Sequence, residues 1–386
     1  MYYLLFHLLQ ADVVALSKEE LKRYSRHLTL PEVGMEGQEK LKLSSVLVVG
    51  CGGLGCPLVT YLAAAGVGRI GIIDFDVVDE SNLQRQVLFA TSDIGKSKVD
   101  VAKAKILDLN PYIEVETYQE ALSTENALDL FKKYDVVADG TDNFATRYLV
   151  NDACVLTGTP NVYGSIFRFE GQVTVFNYKE GPNYRCLYKE PPPPGLVPSC
   201  AEGGVLGVLP GVVATLQATE VLKVLLDKGD IASGRLLIFD ALKFTFRQLE
   251  IKKRDDYEIK ELINYQEFCG VPQVDLNNEI KDDEITVQEL KERLDKKESF
   301  EILDVREEFE YDICHLENSQ LIPLGEFEDS IPQLSPSKEY IVHCKMGGRS
   351  AKAVLMMQEK GFTRVKNLVG GIRAWAEEID TSMEVY

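Results

Sequence analysis

A cluster of four glycines between an apolar run and a helix-forming segment most constrains the fold of this chain. Ser45–Gly50 reads Ser-Val-Leu-Val-Val-Gly, and residues 50–55 read Gly-Cys-Gly-Gly-Leu-Gly. A helix is predicted from about residue 57 until Gly66 ends it, and Arg69–Phe75 is a second apolar run typical of a buried strand. Strand, glycine turn, helix and strand make a βαβ unit, which requires a right-handed crossover and a parallel sheet.

Two domains are predicted along the 386 residues, both of the α/β class. Residues 1–15 form an N-terminal extension, and 16–251 alternate strand and helix patterns. The charged, asparagine-rich stretch 252–283 indicates a linker, and 284–386 form a smaller second domain. The helices are predicted at 17–27, 57–65, 124–134, 145 onward, 212–227, 287–294, 350–360 and 371–379, and the strands at 45–50, 69–75, 114–116, 135–139, 161–163, 172–178, 236–240, 244–251, 300–305 and 340–344.

The charge balance limits the kinds of partner. Forty-two basic and 61 acidic residues give a net charge of −19, which disfavours non-specific binding to nucleic acid or to an anionic membrane. Eight unclustered cysteines indicate a reducing compartment. The apolar start lacks the basic residues and cleavage site of a signal peptide, and we expect no membrane span and a cytoplasmic location.

The glycine cluster predicts a nucleotide site. Gly50, Gly52 and Gly55 follow a strand and open a helix, whose free N–H groups attract phosphate. Asp74 ends the next strand and could accept hydrogen bonds from ribose hydroxyls. NAD and ATP both fit this pattern. The alternative to a nucleotide site is a structural glycine turn that binds no ligand.

Two further clusters favour a triphosphate. Ser81-Asn-Leu-Gln-Arg85-Gln follows the second strand, and Gly95-Lys-Ser-Lys98 lies beyond it. Arg85 and a nearby lysine would supply cations that clamp phosphates, although a lone cation here is more often a solvated surface charge.

An acidic segment follows another predicted strand of the same sheet. Asp139-Gly-Thr-Asp142-Asn143 stands where open α/β sheets place their ligands, so Asp142 could bind Mg²⁺ beside the phosphates. The alternative is that these residues cap the following helix, especially Asn143.

With these motifs in order, residues 16–250 resemble the MoeB/ThiF adenylyltransferases, which are related to ubiquitin-activating enzymes. The resemblance also rests on Arg23-Tyr-Ser-Arg26 and Asp74-Phe-Asp76. It implies a Rossmann-like domain that binds ATP and Mg²⁺ and adenylates the C-terminal glycine of a ubiquitin-like protein. It further implies that Arg26 reaches the phosphates of a neighbouring protomer, hence a homodimer. The residues it assigns to ATP are Gly53, Asp74, Ser81, Asn82, Leu83, Gln84, Arg85, Lys98, Asp142 and Asn143.

Two cysteine features bear on this resemblance. Cys200 lies in a proline- and glycine-flanked stretch; a single cysteine is usually inert, but related enzymes use one here for a thioester or disulfide intermediate. Many relatives also hold zinc through two Cys-x-x-Cys pairs. Here Asn183 replaces one cysteine of the first pair, Cys186 remains, and no second pair follows Arg247, so no zinc site is expected.

The second domain carries a cysteine loop between a predicted strand and helix, Cys344-Lys-Met-Gly-Gly-Arg349. Backbone N–H groups and the helix N-terminus would stabilise a thiolate or persulfide there. With Leu303-Asp-Val-Arg306 and Gly370–Trp375, this loop resembles that of the rhodanese sulfurtransferases. A cysteine phosphatase, which has one more residue between Cys and Arg, and a buried structural cysteine are the alternatives. The loop residues are Cys344, Lys345, Met346, Gly347, Gly348 and Arg349.

Together, the two domains resemble fused adenylyltransferase/sulfurtransferases of the MoeZ type. The resemblance implies that a Cys344 persulfide, charged by a desulfurase or by thiosulfate, attacks the adenylated carrier to give a thiocarboxylate, with Cys200 resolving an acyl disulfide. Asp142 and Arg26 would assist adenylation. The pathway served, such as molybdenum cofactor or thiamine biosynthesis, is left open. An NAD-dependent oxidoreductase and a non-catalytic scaffold for a ubiquitin-like protein are the alternatives.

Overall fold

The computed structural model describes residues 15–192, 204–254, 256–269 and 282–384. These residues fall into two compact units, one within 15–269 and one within 282–384. Cys200, the N-terminal extension up to residue 14 and part of the predicted linker lie outside the described residues.

The first unit is built on an eight-stranded sheet in the order β3-β2-β1-β4-β5-β6-β7-β8. The five strands from β3 to β5 are parallel, and β6, β7 and β8 continue the sheet antiparallel. The strands are β1 Ser45–Val49, β2 Arg69–Ile73, β3 Glu114–Tyr118, β4 Val136–Asp139, β5 Asn161–Phe167, β6 Glu170–Phe176, β7 Arg235–Asp240 and β8 Thr245–Glu250.

Helices cover both faces of this sheet, as the βαβ pattern predicts. All five residues of β1 are buried, and the helix after the glycine turn ends at Gly66 in the left-handed conformation. The helices are Lys18–Arg23, Ser25–Leu28, Gly34–Leu43, Gly55–Ala65, Lys98–Leu109, Ala127–Phe131, Phe144–Thr157, Tyr184–Leu187, Leu209–Leu226 and Tyr265–Phe268, with 3₁₀ turns at Glu80–Asn82 and Thr91–Asp93.

Two predictions need correction here. The single N-terminal helix is wrong, because the chain breaks at Tyr24 into two short helices. Among the described residues, helix Leu209–Leu226 is long and apolar enough to cross a membrane. It packs on β4, β5 and β6 of this unit, and the expectation of no membrane span stays a prediction. The linker begins later than residue 252, because Leu262 and Tyr265 pack into the core of the first unit.

The second unit has a five-stranded parallel sheet in the order β11-β10-β12-β13-β9. Its strands are β9 Glu284–Ile285, β10 Glu301–Asp304, β11 Ser319–Leu321, β12 Tyr340–His343 and β13 Val365–Leu368, and its helices are Val287–Asp295, Glu308–Ile313, Leu324–Ser330, Gly348–Glu359 and Gly371–Glu378, with a 3₁₀ turn at Ile331–Gln333.

Both sheets contain a point where successive connections leave toward opposite edges. In the first unit this switch lies between β1 and β4, and in the second between β10 and β12. Open parallel sheets bind ligands at the carboxyl ends of such strands. The glycine cluster follows β1 and Cys344 follows β12, so the fold places both predicted sites at these points.

Candidate active site

A cleft of about 280 Å³ opens at the carboxyl ends of the parallel strands of the first unit. It collects motifs that are distant in sequence: the glycine cluster, the segment after β2, the 3₁₀ turn and the segment after β4. The predicted site residues that line it are Gly53, Asp74, Asn82, Arg85, Lys98, Asp142 and Asn143.

The glycine turn has a shape that only glycine permits at two positions. Gly50 has φ of +88°, and a Cβ on Gly55 would lie 2.0 Å from the carbonyl oxygen of Gly50. Asp74 holds this turn, since its two carboxylate oxygens accept from the backbone N–H groups of Cys51 at 2.7 Å and Asp76 at 2.8 Å. Two such bonds leave carboxylate lone pairs for a ribose hydroxyl.

Lys98 is buried and forms an ion pair inside the cleft. Its Nζ lies 2.8 Å from Oδ2 of Asp76, and the lysine side chain is 5% exposed against 48% for the aspartate. The pairing follows from the backbone, because Val77 and Ser97 form a bridge that sets the two segments side by side. A cation without full hydration is therefore poised at the cleft wall.

Only some residues of the segment after β2 line the cleft. Arg85 lines the cleft while its Nη1 donates to the carbonyl oxygen of Ser81 at 3.0 Å. Ser81 itself bonds to Asp79. Ser81, Leu83 and Gln84 are not among the cleft-lining residues that the described chain provides, so they shape the turn that carries Asn82 and Arg85.

Asp142 and Asn143 end the opposite wall of the cleft. Asp142 is exposed to solvent, which suits a carboxylate that would bind Mg²⁺ with phosphates. Asn143 is the N-cap of helix Phe144–Thr157, accepting from the N–H of Thr146 at 2.9 Å. The capping alternative is therefore confirmed for Asn143, which lines the cleft as well.

Two buried polar side chains, Asp139 and Arg147, support the backbone of this wall. Burial raises the pKa of Asp139, whose Oδ1 accepts from Thr141 N–H and hydroxyl. Arg147, also buried, donates to the carbonyl oxygen of Thr141 at 3.1 Å. Together these bonds fix the backbone immediately before Asp142.

Five polar lining residues escaped the sequence-based assignment: Asp76, Gln86, Glu120, Thr141 and Thr146. Glu120 lies just beyond β3, the neighbour of β2, so an acidic residue after a parallel strand was the available signal. Asp76 stood in a quoted motif, but nothing in the sequence reveals its pairing with Lys98.

Three further predictions for this unit concern Arg26, Cys200 and the zinc region. Arg26 is exposed in helix Ser25–Leu28 and does not line the cleft described for its own chain; its action on a neighbouring protomer stays a prediction, as does the role of Cys200. In the zinc region, Asn183 caps helix Tyr184–Leu187 by accepting from Arg185 N–H at 2.9 Å. Cys186 Sγ accepts from Asn183 N–H, and the absence of zinc stays a prediction.

In the second unit, Cys344 is buried at the end of β12. Its Sγ accepts from the N–H of Gly347 at 3.1 Å, and the Ser350 hydroxyl lies 3.4 Å from this sulfur and 2.7 Å from Oδ1 of Asn367. Gly347 has φ of +102° and precedes helix Gly348–Glu359. The sulfur thus lies beside a backbone N–H at a helix N-terminus, the environment that stabilises a thiolate or persulfide.

The paired glycines of the Gly370–Trp375 motif press on this loop. A Cβ on Gly371 would lie 2.4 Å from the carbonyl oxygen of Cys344. The N–H of Ile372 donates to that same oxygen at 2.9 Å. The N-terminus of helix Gly371–Glu378 therefore holds the backbone of the loop at Cys344.

The other predicted loop residues differ in role. Met346 is exposed at the tip, and burial lowers the pKa of Lys345. Arg349 forms a two-pronged ion pair with Glu310, at 2.5 and 2.7 Å. Its guanidinium therefore ties the loop to helix Glu308–Ile313, a contact that the sequence did not indicate.

A cluster of three fully buried polar residues, Asp304, Arg306 and His343, lies next to the cysteine loop. Asp304 and Arg306 are ion-paired at 2.5 Å, and Arg306 also donates to the carbonyl oxygen of Cys314. These contacts give Asp304 and Arg306 a structural role. His343 packs with its Nε2 3.5 Å from Asp304, and burial lowers the pKa of His343 to about 4.

The ThiF family model matches residues 24–260, and the rhodanese-like domain model matches residues 286–378. The chain belongs to the ThiF family. A rhodanese-like domain follows the ThiF domain in the sequence.

Relatives named for both activities match this chain over most of its length. The chain is 49% identical over 380 residues to a Mycobacterium tuberculosis protein named "Probable adenylyltransferase/sulfurtransferase MoeZ", covering 96% of this chain and 97% of that one. It is 45% identical over 404 residues to "Adenylyltransferase and sulfurtransferase MOCS3" of Bos taurus, covering 96% and 89%.

Solved structures share the fold of the first unit. The crystal structure of PaaA matches with a TM-score of 0.54 and 26% identity, covering 64% of this chain and 79% of that chain. Escherichia coli MccB crystallised with ATP matches with a TM-score of 0.52 and 24% identity, covering 61% and 73%.

Proposed function

We propose that this chain adenylates the C-terminal glycine of a ubiquitin-like sulfur carrier and then delivers sulfur to it from a persulfide on Cys344. The chain is an adenylyltransferase and a sulfurtransferase, as its two matched families and its full-length relatives indicate. The observation that carries the proposal is the convergence of Arg85, Lys98 and Asp142 on one glycine-lined cleft.

The cleft supports attack of a carboxylate on the α-phosphorus of ATP. A carboxylate oxygen forms the new P–O bond, and the bond to the β-phosphate breaks to release pyrophosphate. Two anions must meet and a third must leave, so Arg85 and Lys98 would neutralise phosphate oxygens and hold the tail in line. Asp142 would hold Mg²⁺, which supplies further charge neutralisation when bound.

The cysteine loop supports the second step. The outer sulfur of a Cys344 persulfide attacks the acyl carbon, AMP leaves, and an acyl disulfide results. A second thiol then attacks the Cys344 sulfur and releases the thiocarboxylate. We assign that thiol to Cys200, and an external dithiol would reduce the resulting disulfide before the next cycle.

The remaining elements of the proposal are a homodimer, a carrier that ends in Gly-Gly, and a sulfur donor of the thiosulfate or desulfurase type. Arg26, exposed outside the cleft of its own chain, supports action across a dimer interface. No nucleic acid or membrane partner is proposed, in keeping with the net charge of −19. The cytoplasmic location stays a prediction.

The test is ATP–pyrophosphate exchange with and without a Gly-Gly-ended carrier. We expect exchange that depends on the carrier and on Mg²⁺ and that is lost when the carrier's last glycine is removed. Exchange at the same rate without a carrier, or hydride transfer with NAD, would contradict the proposal.

A further inference from the structure

The segment Gly204–Pro210 does not line the cleft. It packs behind the side of the cleft that Gly53 and Arg85 form. The segment is anchored at one side, where Val205 bridges Arg168 and the N–H of Leu206 donates to the Arg168 carbonyl at 3.1 Å. At the other side it runs into the long core helix Leu209–Leu226, with Pro210 in the first turn. Neither Arg168 nor the start of helix Leu209–Leu226 lines the cleft. Contacts outside the cleft therefore hold this segment in place.

Gly207 makes the closest approach. A Cβ at this position would lie 2.4 Å from the backbone oxygen of Gln84 and 2.4 Å from its Oε1. The side chain could move away, but the backbone oxygen belongs to a turn in which the N–H groups of Arg85 and Gln86 both donate to the carbonyl of Asn82. That turn can yield to a Cβ only by moving the cleft residues it carries.

Pro210 makes the matching contact on the glycine cluster. A Cβ on Gly53 would lie 3.2 Å from Cβ and Cγ of Pro210 and 3.5 Å from Cγ of Arg85. The proline ring therefore faces the glycine turn and the stem of Arg85 at once. The glycine turn and Arg85, which would face the phosphates of ATP under the proposed function, therefore both pack near Pro210.

We propose that Gly207 and Pro210 are positioning residues that set the distance between the glycine turn and Arg85, and so the fit of the triphosphate tail. The inference rests on the proposed function in taking ATP as the ligand. Neither residue touches the nucleotide in this account. They act through Gln84 and Gly53.

The deciding variant is Gly207→Ala, with Gly211→Ala as its matched control, because a Cβ on Gly211 meets no heavy atom within 4 Å. Calorimetric titration would compare MgATP with AMP, which lacks the β- and γ-phosphates. We expect Gly207→Ala to weaken MgATP binding by roughly tenfold while AMP binding changes less than about twofold. Gly211→Ala should match the parent chain for both ligands.

Equal losses for MgATP and AMP, or no loss for either, would overturn the inference. If Gly207→Ala does not fold, Pro210→Ala decides, because it deletes the ring atom Cγ without introducing a clash. A selective MgATP loss of about threefold supports positioning, and unchanged binding refutes it. Normal MgATP binding by the parent chain without carrier-dependent exchange would refute only the proposed function.

Discussion

In the first unit, charged side chains from separate segments line the candidate site, whereas in the second a backbone N–H and a hydroxyl lie beside the reactive sulfur. Lys98 and Asp76 are paired across the cleft wall, and the sulfur of Cys344 rests on the N–H of Gly347. Both sites lie at a switch point of a parallel sheet. The same topology therefore serves a large polyanion and a single sulfur atom by different means.

The difference follows from the size and charge of what is bound. A triphosphate spreads several charges over a long tail, so separate cations on different segments must reach it. A persulfide has one terminal charge, which a tight turn and one helix N-terminus can stabilise. The cleft should therefore be sensitive to single charges, and the loop to its backbone geometry and its one sulfur.

The largest expected effect separates the two regions completely. Cys344→Ala should abolish thiocarboxylate formation and leave carrier-dependent pyrophosphate exchange unchanged, because no other atom of the loop can hold the sulfur. Asp142→Ala should do the reverse, abolishing exchange while thiosulfate-dependent sulfur transfer to cyanide continues. Cys314→Ala is the control for a cysteine of the same unit. Loss of both activities in either variant would show that the sites are not separable.

A cation in the cleft comes next. Replacing Lys98 with methionine keeps the stem but removes the charge that lies 2.8 Å from Asp76. We expect carrier-dependent exchange to fall by about 100-fold, since loss of one preorganised donor typically costs that much. Lys96→Met is the matched control, because Lys96 is 60% exposed and pairs with Asp93. Equal effects of the two variants would remove Lys98 from the site.

The hydroxyl beside the sulfur tests the loop more gently. Ser350→Ala removes a donor 3.4 Å from Cys344 Sγ. We expect sulfur transfer to fall by about tenfold, as for a hydrogen bond to a charged group. The control is Ser330→Ala, because the hydroxyl of this half-buried serine donates to the carbonyl oxygen of Glu326, and it should have no effect. An unchanged rate of sulfur transfer in Ser350→Ala would refute the role of the hydroxyl.

The smallest effect is on stability and reports the buried group under the loop. His343 is neutral when folded because burial lowers its pKa to about 4, from a usual value near 6.5. Below pH 6.5 the unfolded chain takes up a proton that the folded chain does not, so stability falls as pH decreases and the loss is complete below the folded pKa. Between pH 6.5 and 5.5 this should amount to about 1 kcal/mol.

Urea unfolding followed by the fluorescence of Trp375, the single tryptophan of the chain, would report the second unit. Trp375 packs in the core of that unit. His343→Leu should flatten the pH dependence relative to the parent, while Asp304 and Arg306 keep their own ion pair. An equally steep dependence in the variant would assign the effect to other groups.

Much of this architecture is predictable because the decisive signals are local. Glycines with positive φ, an apolar run and a helix stop at Gly66 are readable over twenty residues, and they place the cleft correctly. The strands β9 and β11, with two and three residues, carry no readable period and were missed. The helix break at Tyr24 was also missed; the tyrosine hydroxyl there accepts from Asn110, a contact between residues 86 apart that no local pattern reveals.

The parts of the sites that escaped prediction are pairings between distant residues. Asp76 with Lys98 is 22 residues apart, and Glu310 with Arg349 is 39 apart. A sequence shows that each is charged but not which charge it meets.

The most direct test of the account is the mass of the carrier after incubation with this protein, MgATP, thiosulfate and a dithiol reductant. We predict that a Gly-Gly-ended carrier gains one sulfur in place of one oxygen, and that it acquires no sulfur with Cys344→Ala or without ATP. A carrier that acquires sulfur without ATP, or that never exchanges its oxygen with the complete mixture, would contradict it.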